Sequence, residues 1–314
     1  MGFLPFLQNQ NQVMTVEGLN PIKKFRSIAL VFLVIAVSCC AVFADTPRKA
    51  KRIISMSPAI TEILFELGVG QRIAGITDFC NYPEATSSIA RVGGLLNPNL
   101  ESIVALKPDL IIHAQENSRI QEQTDNLGIK MLKVNLTNIE NILKSILVLG
   151  NALGATETAQ QLHGRLRQGV DLYRSRLDGQ RRKPTLLVLG KADDPLRDLY
   201  GAGKGTFLDE LLTMAGGDNI LNSSMAIYPK LSKEFVISQS PEVIIEAIPR
   251  TQFPLEEQLV HKARWQLFPT IRAVKDNNVH FVAYDYILIP GPRLLKIVDA
   301  LAKAIHPKLF SENQ

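Results

Sequence analysis

A chain of 314 residues, 46% hydrophobic and 21% charged, is long enough for one large or two modest domains and too apolar to be disordered. Its formal charge of +5 falls to +3 when three cations and one anion, Lys23, Lys24, Arg26 and Glu17, leave with an N-terminal leader; that is too little, and too evenly spread, for a nucleic-acid partner. Of the three cysteines only Cys80 lies beyond the leader, so no internal disulfide can form and stability must come from the core.

Lys23, Lys24 and Arg26 precede an uncharged run from Ile28 to Phe43, and Val42 and Ala44 supply small residues at the −3 and −1 positions. This pattern predicts a secretory signal over residues 1–44 with cleavage after Ala44. The run is shorter than the ~20 residues a spanning helix needs. Cys39 or Cys40 is a candidate lipid-attachment site, and Met14 is an alternative start to Met1.

Strand and helix signals then alternate. Arg52 to Ser55 reads as a short buried strand, and Ser57-Pro58 opens a helix that stops at Gly68. A strand at Ile73–Ile76 precedes loops over Asp78–Tyr82 and Gly93–Pro98. Asn99 caps a two-turn helix to Leu106, Pro108 breaks it, and Leu110–Ile112 is a buried strand. Helix 117–127, strand 130–134 and helix 138–153 complete an N-terminal α/β lobe over residues 51–153. Strands alternating with helices imply a parallel sheet covered on both faces.

From Thr156 to about Asp178, Ala159, Leu162, Leu166, Val170, Tyr173 and Leu177 fall at steps of three and four, with arginines and glutamines opposite. This predicts one long linking helix within residues 154–182, a rigid strut. A second lobe follows over 183–310. It has a strand at Thr185–Leu189, a helix from Thr206 to Met214 ended by Gly216-Gly217, and a helix capped by Ser232. A strand at Val243–Ile245, a strand at Val279–Ala283 and a last helix opened by Pro292 complete it. The expected fold class is α/β: two Rossmann-like lobes joined by a single long helix.

One internal match ties the halves together. Asn99-Leu100-Glu101 through Pro108-Asp109 to Leu110-Ile111-Ile112 aligns without a gap on Ser232-Lys233-Glu234 through Pro241-Glu242 to Val243-Ile244-Ile245. A first-turn carboxylate is favoured by the helix dipole, by about 0.3–1 kcal/mol, which would explain either glutamate alone. As a pair on equivalent rims, Glu101 and Glu234 also read as docking points for arginines of a partner.

Ile54-Ser55-Met56-Ser57-Pro58-Ala59-Ile60-Thr61-Glu62, Tyr82-Pro83, Val92-Gly93, Asn99-Leu100-Glu101 with Lys107-Pro108-Asp109, Ser232-Lys233-Glu234 and Gly291-Pro292-Arg293 together resemble a known family. It is the periplasmic binding proteins that deliver cobalamin and iron chelates to ABC importers. The resemblance covers about residues 51–309 and implies two α/β lobes, a rigid connecting helix and a ligand held in the cleft. It also implies a permease whose arginines contact Glu101 and Glu234, a carrier acting as a monomer in the periplasm, and no resident cofactor.

A large planar chelate needs flat apolar surfaces and a few hydrogen-bond donors at the lobe mouths. By position the N-terminal candidates are Ser57, Phe79, Tyr82, Leu95 and Gln115. The C-terminal ones are Lys191, Tyr200, Tyr228, Tyr286 and Arg293. Cobalamin binders carry tryptophans in the cleft; here Leu95 and Ala114 stand near those positions, and the single tryptophan, Trp265, lies in a helical segment away from the rim. Similarity favours cobalamin or another corrinoid, with ferric siderophore or haem as alternatives.

Signals for chemistry are weaker. Gly201 to Thr206 resembles a phosphate loop but has Gly205 where the motif requires Ser or Thr after Gly-Lys. The histidines show no paired spacing for zinc, although His113 at a strand end is a candidate ligand to a chelated metal. With no Gly-x-Ser-x-Gly elbow, an envelope α/β enzyme acting on a tetrapyrrole stays only as the rival reading.

Overall fold

The computed structural model describes residues 50–114, 118–190, 199–223 and 226–310. The expected leader with Cys39 and Cys40, and the candidates Gln115 and Lys191, lie outside them.

Residues Ile53–Ser55 (β1), Ile73–Ile76 (β2), Ala90–Arg91 (β3), Leu110–His113 (β4) and Lys130–Lys133 (β5) form one parallel sheet in the order β3-β2-β1-β4-β5. This is the strand order of a mononucleotide-type α/β unit, which places ligands at the carboxyl ends of the strands. Alternate side chains serve two cores. Ile53 and Ile112 point into the main core with helices Pro58–Glu66 (α1) and Ile139–Leu153 (α4), whereas Ile54 and Ile111 join Met56 and Val92 in a satellite core. Ile103 of Leu100–Ala105 (α2) belongs to that satellite, and Ser118–Asn126 (α3) connects β4 to β5.

The second sheet is Gly217–Asn219 (β7), Lys183–Leu189 (β6), Val243–Ile248 (β8) and Val279–Ala283 (β9), parallel in the order β7-β6-β8-β9. Its order repeats that of β2-β1-β4-β5. Leu187 and Ile245 reach the main core with Phe207–Met214 (α6) and Leu294–Ile305 (α10). Leu186, Val188 and Ile244 reach a satellite with Val236 of Lys233–Gln239 (α7) and Trp265 of Leu255–Trp265 (α8). Short helices Arg272–Lys275 (α9) and Pro307–Phe310 (α11) complete the chain.

Thr156–Arg176 (α5) is the long helix, 21 residues and so ~32 Å. Ala159, Leu162, Leu166 and Val170 are buried in the main core. Its first half is held by N-terminal helices: a Cβ on Gly150 would stand 2.2 Å from the Ala159 Cβ, and Arg165 and Arg167 pair with Glu66 at 2.7 Å and Glu140 at 2.6 Å. Its second half is held by α10. There a Cβ on Gly169 would lie 2.3 Å from Leu295 Cδ1, and Tyr173 donates to Asp299 at 2.8 Å. One helix is thus wedged against both lobes. Direct bridges add to it, with Phe207 N–H donating to the Thr137 carbonyl at 2.8 Å and Ile139 N–H to Glu210 at 2.7 Å.

Several expectations change. The linking helix ends at Arg176, with Leu177 as cap and Gly179 at φ +73° beyond it. The second of the two glycines expected only to stop α6 begins β7, a strand made by pairing with Lys183–Thr185 and not by β-prone residues. Strand β8 runs past Ile245 to Ile248 because Glu246, which breaks the apolar run in sequence, is fully buried between His261 and Trp265. The segment Glu84–Ser88 is a 3-10 helix, and β3 is too short to show a period.

Candidate functional site

Every described ligand candidate follows the carboxyl end of a strand. Ser57 caps α1, its Oγ accepting from Ile60 N–H at 3.3 Å, and is nearly buried. Its side chain is therefore engaged in holding the helix. The loop after β2 is pinned from below: Thr61 donates to Cys80 Sγ at 3.2 Å, Thr77 lies 3.1 Å from the same sulfur, and Arg91 donates to the carbonyls of Thr77 and Cys80 at 3.0 and 2.9 Å. On that fixed loop Phe79 is 64% exposed and Tyr82 43% exposed.

The lobes meet at Arg293. Its Nη2 and Nε donate to the two carboxylate oxygens of Glu62 at 2.6 and 2.9 Å, and its Nη1 donates to Asp285 at 2.9 Å. The guanidinium lies 4.1 Å from the ring centre of Tyr82 and 4.8 Å from that of Tyr286. Tyr82 and Glu62 belong to the first lobe and Tyr286 and Asp285 to the second. The contact therefore sets the carboxyl ends of the two sheets against each other, with Gly291 packed over Ala59 of α1. Such a bidentate fork over ring faces is where arginine differs from lysine. Glu62 is 2% exposed, and burial raises its pKa above the ordinary carboxylate value while the bonds and charge of Arg293 oppose the rise. Burial also raises the Tyr286 phenol.

The other candidates form a second group. Tyr200 pairs with Lys230 in an antiparallel bridge, and Gly201 and Gly203 donate to the carbonyls of Pro229 and Ile227 at 3.1 and 2.8 Å, which brings exposed Tyr228 beside the end of β6. Leu95 is half-buried, while its neighbour Leu96 is the exposed apolar residue of that loop, at 78%. Arg293, expected to meet ligand directly, is engaged by two carboxylates and two rings. Sequence reasoning did not assign Glu62, Asp285 or Tyr284, which stacks on Tyr286 at 5.0 Å between ring centres. A carboxylate among the apolar residues Ile60, Ile63 and Leu64 of a helix was the available signal for Glu62.

The phosphate-loop resemblance does not survive. The amides of Gly201, Ala202 and Gly203 are taken by carbonyls, and Gly205 N–H donates to Asp209 at 2.9 Å, so a carboxylate sits where an anion would bind. Trp265 is buried on Glu246, away from the strand ends. Among the described residues no group of three or more His, Cys, Asp or Glu is placed to hold a metal, and no helix is long and apolar enough to cross a membrane.

Glu101 and Glu234 are both exposed in the first turns of α2 and α7. Asn99 Oδ1 accepts from Ser102 N–H at 3.0 Å and Ser232 Oγ from Phe235 N–H at 3.1 Å, the same cap in each lobe. The carboxyl of Glu234 is held below its ordinary pKa by its own backbone N–H and by Ser232.

Two parallel sheets facing each other at their carboxyl ends, braced by one helix, define a two-lobed α/β binding protein. The chain belongs to the periplasmic binding protein family, whose model matches residues 53–282. It is 29% identical over 273 residues to an uncharacterized ABC transporter substrate-binding lipoprotein of Bacillus subtilis, covering 84% of this chain and 83% of the relative. It is 30% identical over 200 residues to the vitamin B12-binding protein of Yersinia pestis, covering 63% and 70%. Among solved structures, the periplasmic vitamin B12 binding protein of Vibrio cholerae shares the fold with a TM-score of 0.71 at 24% identity, over 84% of this chain and 99% of that one. A periplasmic heme-binding protein of Roseiflexus does so with a TM-score of 0.70 at 22% identity, over 83% and 99%.

Proposed function

We propose that this protein is the substrate-binding component of an ABC importer, carrying a metal chelate between its lobes and delivering it to a membrane permease. The observation that carries the reading is the convergence of Tyr82, Arg293 and Tyr286 from two lobes at the ends of two parallel sheets. Flat rings beside a desolvated cation suit a large planar ligand with polar edges. A corrinoid is favoured because the Yersinia relative is a vitamin B12-binding protein. Haem is the second reading, since Tyr82 and Tyr286 at the junction of the lobes are tyrosines, whose oxygen can ligate iron, and the one tryptophan is buried elsewhere. Glu101 and Glu234 dock the carrier on arginines of the permease. The protein acts as a secreted monomer, and the lipoprotein name of the Bacillus relative supports a lipid on Cys39 or Cys40.

Titration of the purified mature protein with cyanocobalamin, haemin and a panel of ferric siderophores tests the cargo. One-to-one binding of a single class without turnover is expected; product formation with no tight complex would end the carrier reading. Reversing Glu101 and Glu234 to lysine should leave cargo affinity unchanged and abolish uptake. Uptake that survives the double change removes their docking role.

A further inference from the structure

The internal repeat is also a repeat of structure, and it duplicates more than two glutamates. Helices α2 and α7 carry the same side-chain cap and are followed at matching positions by residues of positive φ, Lys107 at 45° and Ser240 at 41°. Each then passes through a proline into a strand whose first contact is alike, Asp109 N–H to the Arg52 carbonyl at 3.0 Å and Glu242 N–H to the Pro184 carbonyl at 2.8 Å. Ile103 and Val236, at matching positions, are buried at 0% and 1%. The next residues, Val104 and Ile237, are each 38% exposed.

Three residues along a helix separate Val104 from Glu101 and Ile237 from Glu234, so acid and apolar side chain share one helix face in each lobe. The two helices are placed alike in their lobes: the buried residue of each joins that lobe's satellite core, on the sheet face turned away from α5 and the main core. Each helix leads into a parallel strand, so its N-terminus stands at the carboxyl end of the strands, beside the cleft. The loops before the two helices add exposed apolar residues, Leu96 at 78% and Ile227 at 59%.

We infer that each docking point is composite, Glu101 with Val104 and Glu234 with Ile237, and that the permease meets each pair with a cation beside an apolar side chain. This rests on the docking reading given above and specifies the chemistry of the partner. Two like pairs, one per lobe, require a partner that offers the same contact twice. The carboxylates set orientation and encounter rate, while the apolar residues slow dissociation.

A photo-crosslinking amino acid placed singly at 101, 104, 234 or 237 in cells of the source bacterium tests this, with captured proteins identified by mass spectrometry. The same integral membrane permease should be captured from 104 and from 237. With that permease in lipid nanodiscs, Val104→Ser with Ile237→Ser should weaken binding by about tenfold and leave the salt dependence unchanged. Glu101→Gln with Glu234→Gln should flatten the salt dependence. Both substituted apolar side chains are partly solvent-exposed, and an unchanged unfolding temperature checks the fold. Permease captured from 101 and 234 but not from 104 or 237, or an unchanged affinity for the serine variant, overturns the composite site and leaves the docking reading standing. Capture of a second copy of this chain at 104 and 237 overturns it as well. If none of the four positions captures a permease, the docking reading fails first and the composite site with it.

Discussion

Arg293→Met removes the cation between the lobes and keeps most of its stem, leaving the Glu62 carboxylate 2% exposed with neither of its two short hydrogen bonds. Deleting one partner of a buried ion pair costs about 3–5 kcal/mol. The carboxylate has an escape, because it can take up a proton. From the ordinary value of 4.5, holding it neutral at pH 7 costs about 3.4 kcal/mol, and at pH 5 about 0.7 kcal/mol. The expected destabilisation is therefore about 3 kcal/mol at pH 7, shrinking by over 2 kcal/mol at pH 5. The sign follows from a folded-state pKa raised above the unfolded one: the protonated form favours the native state at low pH, and that advantage is lost as pH rises. Asp285 is 38% exposed, so losing its bond to Arg293 adds little. Urea unfolding of both proteins at pH 5 and pH 7 measures the difference. Replacing both partners, as in Glu62→Met with Arg293→Met, should recover most of the loss. A loss below 1 kcal/mol at pH 7, or one equal at both pH values, would refute the account of a desolvated carboxylate held by one cation.

Further outcomes follow from the packing and the buried groups. Gly150→Ala should destabilise by about 1–3 kcal/mol in thermal or denaturant unfolding, since its Cβ would meet the Ala159 Cβ at 2.2 Å between two fixed helices. Gly169→Ala should cost less because Leu295 can rotate away. Trp265→Phe should destabilise the second lobe by about 1–3 kcal/mol, leaving Glu246 buried without its indole donor; the change is read by circular dichroism because the only tryptophan is lost. Burial lowers the pKa of both His280 and His306, so the unfolded chain takes up protons near pH 6.5 that the native state refuses. Stability should therefore decline as pH falls from about 7 to 5, and His280→Phe with His306→Phe should flatten that part of the curve.

Much of the local structure was legible in the chain. Ser57, Asn99 and Ser232 cap the helices they were expected to cap, and the spacing of Ala159, Leu162, Leu166 and Val170 marked the long helix and its buried face. The apolar runs of β1, β4, β6 and β8 read as strands buried on both faces, and they are. Short irregular pieces were not legible, because β3 and β7 have too few residues, and too few β-prone ones, to show a period.

The sequence by itself determined what depends on neighbours within a few residues: caps, periodicity, helix stops, and the acid-proline-strand pattern repeated in both halves. Tertiary structure alone decided the pairing of Glu62 with Arg293, 231 residues apart. It also decided the burial of Glu246 beneath His261 and Trp265, and the packing of α2 and α7 each on the satellite core of its own lobe. The physical reason is range. Hydrogen bonds and helix periods act between near neighbours and leave their mark on local composition, whereas burial and charge pairing depend on which distant segments share a space, and any carboxylate in a helix looks the same until its surroundings are known.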